Sequence, residues 1–192
     1  MTANPFEQIR ASKRDIVKSY DWYVRQIKNL GATRMRPSSM LKSEIGVLTN
    51  KLQVGRMYLF MYDPKLKATL PVYDRFPLVL PFTKTEDGFI GLNLHYLPYL
   101  LRAKLLGALL KLADKKDKTH PRMKLKMSWA LIDSASRYPG VHVCVKRYLT
   151  HHIRSNFLEI NPIDWRAAIF LPIEDFQKKS KDEVFRQSRS QL

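Results

Sequence analysis

The stretch Arg56-Met57-Tyr58-Leu59-Phe60-Met61-Tyr62 is rich in residues that favour β-strands and is apolar on both faces. A strand with one face in solvent alternates apolar and polar side chains, and this run does not. Asp63-Pro64 follows directly and is typical of a turn, so the run ends there. The pattern predicts a fully buried strand, and therefore a protein that folds around a β-sheet.

Shorter runs on the C-terminal side of this strand predict the rest of the sheet. Residues 76–82 contain two prolines, which cannot donate a backbone hydrogen bond, so this strand is expected at an edge. Glu86-Asp87-Gly88 predicts a turn into a third strand over residues 89–96. Residues 157–160 are expected to be extended, and residues 166–171 to form a strand that closes the sheet. Several short strands with Pro and Gly between them predict a small curled antiparallel sheet or an SH3-like barrel.

The N-terminal part has a helical pattern. Asn4 and Pro5 suit the start of a long first helix, and Gly31 suits its end. Its apolar stripe consists of Ile9, Ile16, Tyr20, Tyr23, Ile27 and Leu30. A second, short helix is predicted from Ser38 or Ser39 to about Asn50. We therefore divide the chain into a helical extension, residues 1–50, and an α+β core domain, residues 51–192.

Helical patterns return after Pro98 and flank the predicted sheet. One face of the first of these helices consists of Leu101, Leu105, Ala108, Leu109 and Leu112. Further helices are predicted over residues 121–137, although an alternation at 123–127 leaves a strand open, and over residues 145–152. The tail from Ile173 is predicted to be a polar helix. Together with the strands, these patterns predict an α+β fold.

The charge balance points to a polyanionic partner. Lys and Arg number 34 against 17 Asp and Glu, which gives a formal net charge of +17 and an isoelectric point near 10.1. Self-repulsion of this size disfavours the compact state unless a polyanion relieves it. Nucleic acid is the commonest such partner, and an anionic membrane or acidic proteins are the alternatives. No apolar run approaches the length of about 18 residues that crosses a bilayer, so we expect no membrane-spanning segment. With nucleic acid as the preferred polyanion, we predict no membrane partner.

Basic residues concentrate in two segments. Those beside the apolar stripe of the first helix share one angular sector and are Arg10, Arg14, Lys18, Arg25 and Lys28. The solvent-exposed face of an ordinary amphipathic helix carries the same row of basic residues. The alternative that these residues only face solvent therefore stays open. The densest basic block covers residues 102–126, where the predicted nucleic-acid contacts are Lys104, Lys111, Lys115, Lys116, Lys118, Arg122, Lys124 and Lys126. If both segments lie on one face, they neutralise about six to ten phosphates.

Patterns that indicate catalysis or metal binding are weak. The sequence contains no glycine-rich phosphate loop, and its single cysteine, Cys144, cannot supply a zinc site or an internal disulfide. His151 and His152 are adjacent and would diverge by about 100° on a helix, so shared metal ligation is not expected. The residues available to a metal-dependent nuclease are Asp63, Asp74, Glu86, Asp87 and His95. Several of these acids suit turns and His95 suits a core or rim position, so we predict no catalytic residue, no metal and no cofactor.

The middle of the chain resembles the DNA end protector family, small virion proteins of T-even-like tailed phages. The resemblance lies in residues 57–65, 69–79 and 88–97, and in the later strings Val145-Lys146-Arg147-Tyr148-Leu149 and Phe170-Leu171-Pro172. It implies a late virion protein that binds the ends of packaged linear double-stranded DNA and shields them from exonucleases without catalysis. It implies no particular DNA-contacting residue.

Three hypotheses follow for function. The first is end protection. Its partners would be double-stranded DNA ends and phage head–tail neck or tail proteins. Its location would be the virion, and the host cytoplasm during assembly and infection. The second is a structural component of the phage neck, tail or baseplate. The third and weakest is a DNA-processing nuclease. The sequence does not predict an oligomeric state.

Overall fold

The computed structural model describes Arg25 and residues 36–41, 46–114 and 141–190. Strands within these residues are β1 Gly46–Thr49, β2 Met57–Leu59, β3 Tyr73–Asp74, β4 Leu78–Thr85, β5 Gly88–Asn93, β6 Val145–Leu149, β7 Phe157–Ile160 and β8 Phe176–Gln177. The α-helices are α1 Pro37–Met40, α2 Tyr99–Asp114, α3 Val141–Cys144, α4 Trp165–Ala168 and α5 Lys181–Ser190. Short 3₁₀ helices are Leu94–Tyr96, Thr150–His152 and Pro162–Asp164.

The main sheet has six strands in the order β1-β7-β2-β4-β5-β6, and every neighbouring pair is antiparallel. A separate two-stranded sheet joins β3 to β8. The predicted mixture of helices with an antiparallel sheet is therefore confirmed. The alternative of an SH3-like barrel is wrong, because β1 and β6 stand at opposite edges and do not pair with each other.

One face of the sheet packs against helices. Successive residues of a strand point to opposite faces, so Met57 and Leu59 of β2 lie on this side and Tyr58 lies on the other. Helix α2 contributes Leu105 and Leu109 to the same core. Other members are Val141 and Cys144 of α3 and, in and after α4, Trp165, Ala168, Ile169 and Leu171. The single cysteine, Cys144, is buried there as a free thiol.

The opposite face carries an aromatic cluster. Its buried members are Tyr58, Phe60, Tyr62, Val79, Phe89, Tyr148 and Phe157. The Phe60 ring lies at the centre, with ring centroids 5.2 Å from Phe157 and 5.3 Å from Tyr148. The partly buried Leu52 and Ile153 pack against this cluster. Both faces of β2 are thus covered, and the prediction of a fully buried strand is confirmed.

Strand β4 was expected at an edge and instead lies between β2 and β5. Pro77 precedes the strand, and the pairing with β5 shifts register between Pro81 and Thr83. A proline is tolerated at such a bulge because the ladder is already interrupted there. The Pro81 carbonyl still accepts a hydrogen bond from the Gly55 amide. The bulge therefore has to accommodate only the missing backbone N–H of the proline.

Three other predicted elements are wrong, and in the first two strand pairing outweighs local propensity. The second helix was expected to reach about Asn50, but α1 ends at Met40 and β1 pairs with β7. Residues 145–149 were expected to be helical, but they pair with β5 as β6. Residues 166–171, expected to be a closing strand, contain most of α4 and the turn after it. A short apolar run does not distinguish a strand from a buried helical turn.

Other helical predictions agree with the structure. Helix α2 begins after Pro98 and buries Leu105, Ala108 and Leu109. The polar C-terminal helix is confirmed as α5, which starts later than expected, at Lys181. Ser180 and Glu183 bond to each other's backbone amides there, and this reciprocal capping fixes the start of α5. The long first helix lies outside the described residues, apart from Arg25, which is helical.

The helix predicted over residues 121–137 also lies outside the described part of the chain. Within that part, no helix has the length and apolar character to cross a membrane.

Candidate nucleic-acid interface

Few of the predicted DNA contacts fall on described side chains. Arg25 and Lys104 are exposed, and Lys111 lies in α2. Those outside the described residues are Arg10, Arg14, Lys18, Lys28, Lys115, Lys116, Lys118, Arg122, Lys124 and Lys126. The structure therefore does not show whether these residues share a face, and the set stays a prediction.

Arg102 belongs to the same basic block but has a different role, because its side chain is fully buried. Its guanidinium donates to the carbonyls of Leu97, His95 and Ile169, at 2.6, 3.0 and 3.1 Å. It also forms an ion pair with the buried carboxylate of Glu174. All of these partners are groups of the protein itself. Arg102 therefore connects α2 to the segment after α4 and does not face a phosphate.

Asp74 and His95, considered above as nuclease residues, form a buried pair. The Asp74 carboxylate lies 2.7 Å from His95 Nδ1 and also accepts from the Asn93 side chain, at 3.2 Å. Its other oxygen accepts from the amides of Phe76 and Asp175. Burial raises the pKa of Asp74, but His95 and the other donors outweigh it, and the pKa lies below its usual value. A carboxylate satisfied by four donors links β3 to the end of β5 and has little capacity left for a metal ion.

The remaining acids of that set lie on the surface and do not converge. Asp63 pairs with Lys67 at 2.9 Å, and Asp87 with Arg147 at 2.8 Å. Hydrogen bonds from these cations are the main cause that lowers the pKa of each carboxyl group. Among the described residues, no group of three or more His, Cys, Asp and Glu side chains is arranged to hold a metal ion.

A cavity of about 830 Å³ lies between residues 62–74 and the C-terminal elements β6, α3 and α5. Turns organise the loop on its first side, since the amides of Thr69 and Leu70 both donate to the Leu66 carbonyl. Lys178 fastens this loop from outside, with its ammonium 2.7 Å from the Ala68 carbonyl and 2.8 Å from the Leu70 carbonyl. The backbone of Lys178 has a φ of 70°, a left-handed conformation that a non-glycine residue rarely adopts.

The charged side chains that line this cavity are the cations Lys65, Lys146 and Arg147 and the carboxylates Asp74 and Asp87. Arg147 is neutralised by Asp87, whereas neither lysine has a carboxylate within ion-pair distance among the described residues. The Lys146 ammonium lies 4.3 Å from the centroid of the Tyr96 ring, so the aromatic face is its charge-stabilising contact. Burial lowers the pKa of Lys146, because the charged form has lost solvent there.

Tyrosines form much of the cavity wall. Tyr62, Tyr96 and Tyr148 line the cavity and are buried, whereas Tyr73 lines it and is half-buried. Burial raises the pKa of all three buried tyrosines, so their hydroxyls stay protonated at neutral pH. The arrangement combines positive charge with aromatic surface, which suits a phosphorylated ligand that carries a ring.

Sequence reasoning missed this site. The string Val145-Lys146-Arg147-Tyr148 was assigned to a helix, and only the strand pairing of β6 places Lys146 in the cavity and Tyr148 in the aromatic cluster. The β-branched Val145 and the aromatic Tyr148 were the available signal for a strand, since the apolar residues of 145–149 stand at helical spacing.

Comparison with protein families gives one match to report. The family model described as Phage T4 terminal DNA protecting protein matches residues 9–190. The match covers nearly the whole chain, including both predicted basic segments and the cavity. Neither a curated protein nor a solved structure matches the chain.

Proposed function

We propose a function from the premise that this chain belongs to the family of phage T4 terminal DNA protecting proteins. The protein binds the ends of packaged linear double-stranded DNA in the phage particle and shields them from exonucleases, without catalysis of its own. The family match over residues 9–190 is the observation that carries this proposal, and the net charge of +17 supports it. It would act in the virion and, during assembly and infection, in the host cytoplasm.

The physical basis of the proposal is phosphate neutralisation. Each phosphate contact by Lys or Arg releases condensed counterions, so affinity falls with salt by a log–log slope of about −0.9 per contact. A protein bound at the terminus also occupies the space that an exonuclease needs. The basic segments around residues 10–28 and 104–126 supply the charge for general DNA affinity in this proposal.

A non-catalytic role is supported by the state of the acidic residues. Asp74 is enclosed and fully hydrogen-bonded, and Asp63 and Asp87 are held in separate ion pairs. Among the described residues, no group of three or more His, Cys, Asp and Glu side chains could hold a metal ion. The proposal therefore assigns protection to binding alone.

Exonuclease protection tests the proposal directly. A linear blunt-ended duplex and a nicked circle of the same sequence are each incubated with the protein, and binding is measured at several salt concentrations. We expect tighter binding to the linear form and survival of its termini in a processive exonuclease. Equal affinity for the two forms, with no protection of the linear one, would exclude end recognition.

A structural role in the phage neck or tail is the second candidate, and an exposed edge favours it. Strand β1 stands at the border of the sheet, and its Val47 and Leu48 are 69% and 50% exposed. Apolar residues on an open edge strand are suited to contact with another protein. Retention in particles that lack DNA, together with a flat salt response of DNA binding, would favour this candidate over end protection.

A further inference from the structure

The cavity beside β6 has the size of a small-ligand site. Its volume of about 830 Å³ falls in the range of about 300–1,000 Å³ that is typical of pockets for small molecules and cofactors. A single nucleotide fits such a space, whereas a base-paired duplex does not. A nucleic acid can therefore enter only with a nucleotide that has left the helix, and such nucleotides are most accessible at a DNA terminus.

Lys146 supplies the electrostatic reason for an anion in this cavity. Lys146 is half-buried, and among the described residues no carboxylate forms an ion pair with its ammonium, which lies over the Tyr96 ring. A half-buried cation without a counter-ion loses part of its solvation, and the lowered pKa of Lys146 reflects that loss. A phosphate oxygen within hydrogen-bond distance of Lys146 Nζ would compensate the lost solvation. The exposed Lys65 at the cavity adds a second positive charge.

Tyr73 supplies the surface for a base. It lines the cavity, is half-buried, and is held in β3 by pairing with Gln177 of β8. A base that leaves the helix loses its stacking partner, and a fixed aromatic ring replaces that partner for any of the four bases. Such a contact requires no particular sequence, which suits a protein that must accept whatever base stands at a terminus.

We propose that this cavity receives the terminal nucleotide of a DNA end, with its 5′-phosphate at Lys146 and its base against Tyr73. The inference rests on the proposed function and specifies how an end differs from the interior of a duplex. General DNA affinity comes from the basic segments, and selection for the terminus comes from the cavity.

The test uses the full-length protein and four DNAs of one sequence: a duplex with 5′-phosphates, the same duplex with 5′-hydroxyls, one with 5′-phosphates on abasic terminal nucleotides, and a nicked circle. The variant is Lys146→Gln. Its matched control is Lys84→Gln, which removes one charge from an exposed lysine of β4 outside the cavity.

We expect wild-type protein to bind the phosphorylated duplex about tenfold more tightly than the hydroxyl form, the effect of one charge-assisted hydrogen bond. The abasic terminus is expected to weaken binding by a similar factor. Lys146→Gln removes the preference for phosphate, and Lys84→Gln keeps it. A free deoxynucleoside 5′-monophosphate at millimolar concentration competes with the linear duplex but not with the nicked circle.

The outcomes separate the two proposals. If wild-type protein prefers and protects linear DNA, but the phosphate, the terminal base and Lys146 have no effect, the cavity proposal is wrong and end protection stands. If wild-type protein binds the linear duplex and the nicked circle equally, end protection itself is wrong. The comparisons among DNAs with wild-type protein decide these points even if Lys146→Gln does not fold.

Discussion

Replacement of Arg102 by methionine tests whether the basic block contains a structural residue. The substitution keeps much of the side-chain length but removes three hydrogen bonds to backbone carbonyls and the ion pair with Glu174. The Glu174 side chain is 1% exposed, so its carboxylate would stay buried without a counter-ion. Removal of one partner of a buried ion pair costs about 3–5 kcal/mol. We expect a loss of that size in the free energy of unfolding.

Urea denaturation is the assay. With a typical slope of about 2 kcal/mol per molar urea, a loss of about 4 kcal/mol lowers the midpoint by about 2 M. The control is Lys104→Met on the same helix, an exposed position where we expect a change within about 0.5 kcal/mol. The double variant Arg102→Met/Glu174→Met is expected to recover part of the loss, because an apolar pair replaces the unpaired charge.

A loss below about 1 kcal/mol for Arg102→Met would refute this reasoning. It would mean that water reaches Glu174, and that Arg102 is available to phosphate as its position in the basic block first implied. A loss of DNA affinity without a loss of stability would lead to the same conclusion.

Two further predictions concern the buried acid and the basic helix. Because the folded pKa of Asp74 lies below its usual value, its stabilising effect is complete above the unfolded pKa of about 3.9 and is lost as pH falls towards the folded pKa. The stability difference between wild type and Asp74→Asn, measured by denaturation at a series of pH values, is therefore expected to shrink below about pH 4, and a constant difference down to pH 2 would contradict it. The double variant Lys111→Gln/Lys115→Gln is expected to lower the magnitude of the log–log slope of DNA affinity against salt by about 2. The control variant Lys51→Gln/Lys84→Gln is expected to leave this slope unchanged. Equal slopes for the two variants would contradict a role for the basic block.

The sequence predicted those elements whose signals are local. The residues of β2, and those of β7 except Glu159, are apolar and form runs typical of strands. Helix α2 follows a proline and has a clear three- and four-residue spacing of leucines. The hairpin from β4 to β5 carries its own turn residues at Asp87 and Gly88. In these cases propensity and tertiary contacts agree.

Elsewhere the deciding contact is distant in sequence. Pro81 led to the prediction of an edge strand. The bulge that tolerates this proline exists only in the pairing of β4 with β5, which the sequence of β4 alone does not indicate. Strand β6 has a sequence compatible with a helix until β5 pairs with it. The count of positive charges could not distinguish Arg102, buried with its acid, from Lys104, exposed two residues away. For the same reason the environment of Lys146 could not be anticipated, since Tyr96 lies far from it in the chain.

The pairing of β2 with β7 has a consequence for biosynthesis. Tyr58 of β2 is paired with Glu159 of β7. Roughly 100 residues must therefore be translated after β2 before β7 exists, which takes about 5–20 s at ordinary elongation rates. During that interval one side of β2 has no neighbour, and the growing polypeptide on the ribosome exposes an unpaired apolar strand. Chaperones that shield such strands are therefore expected to determine the yield of this protein in an infected cell.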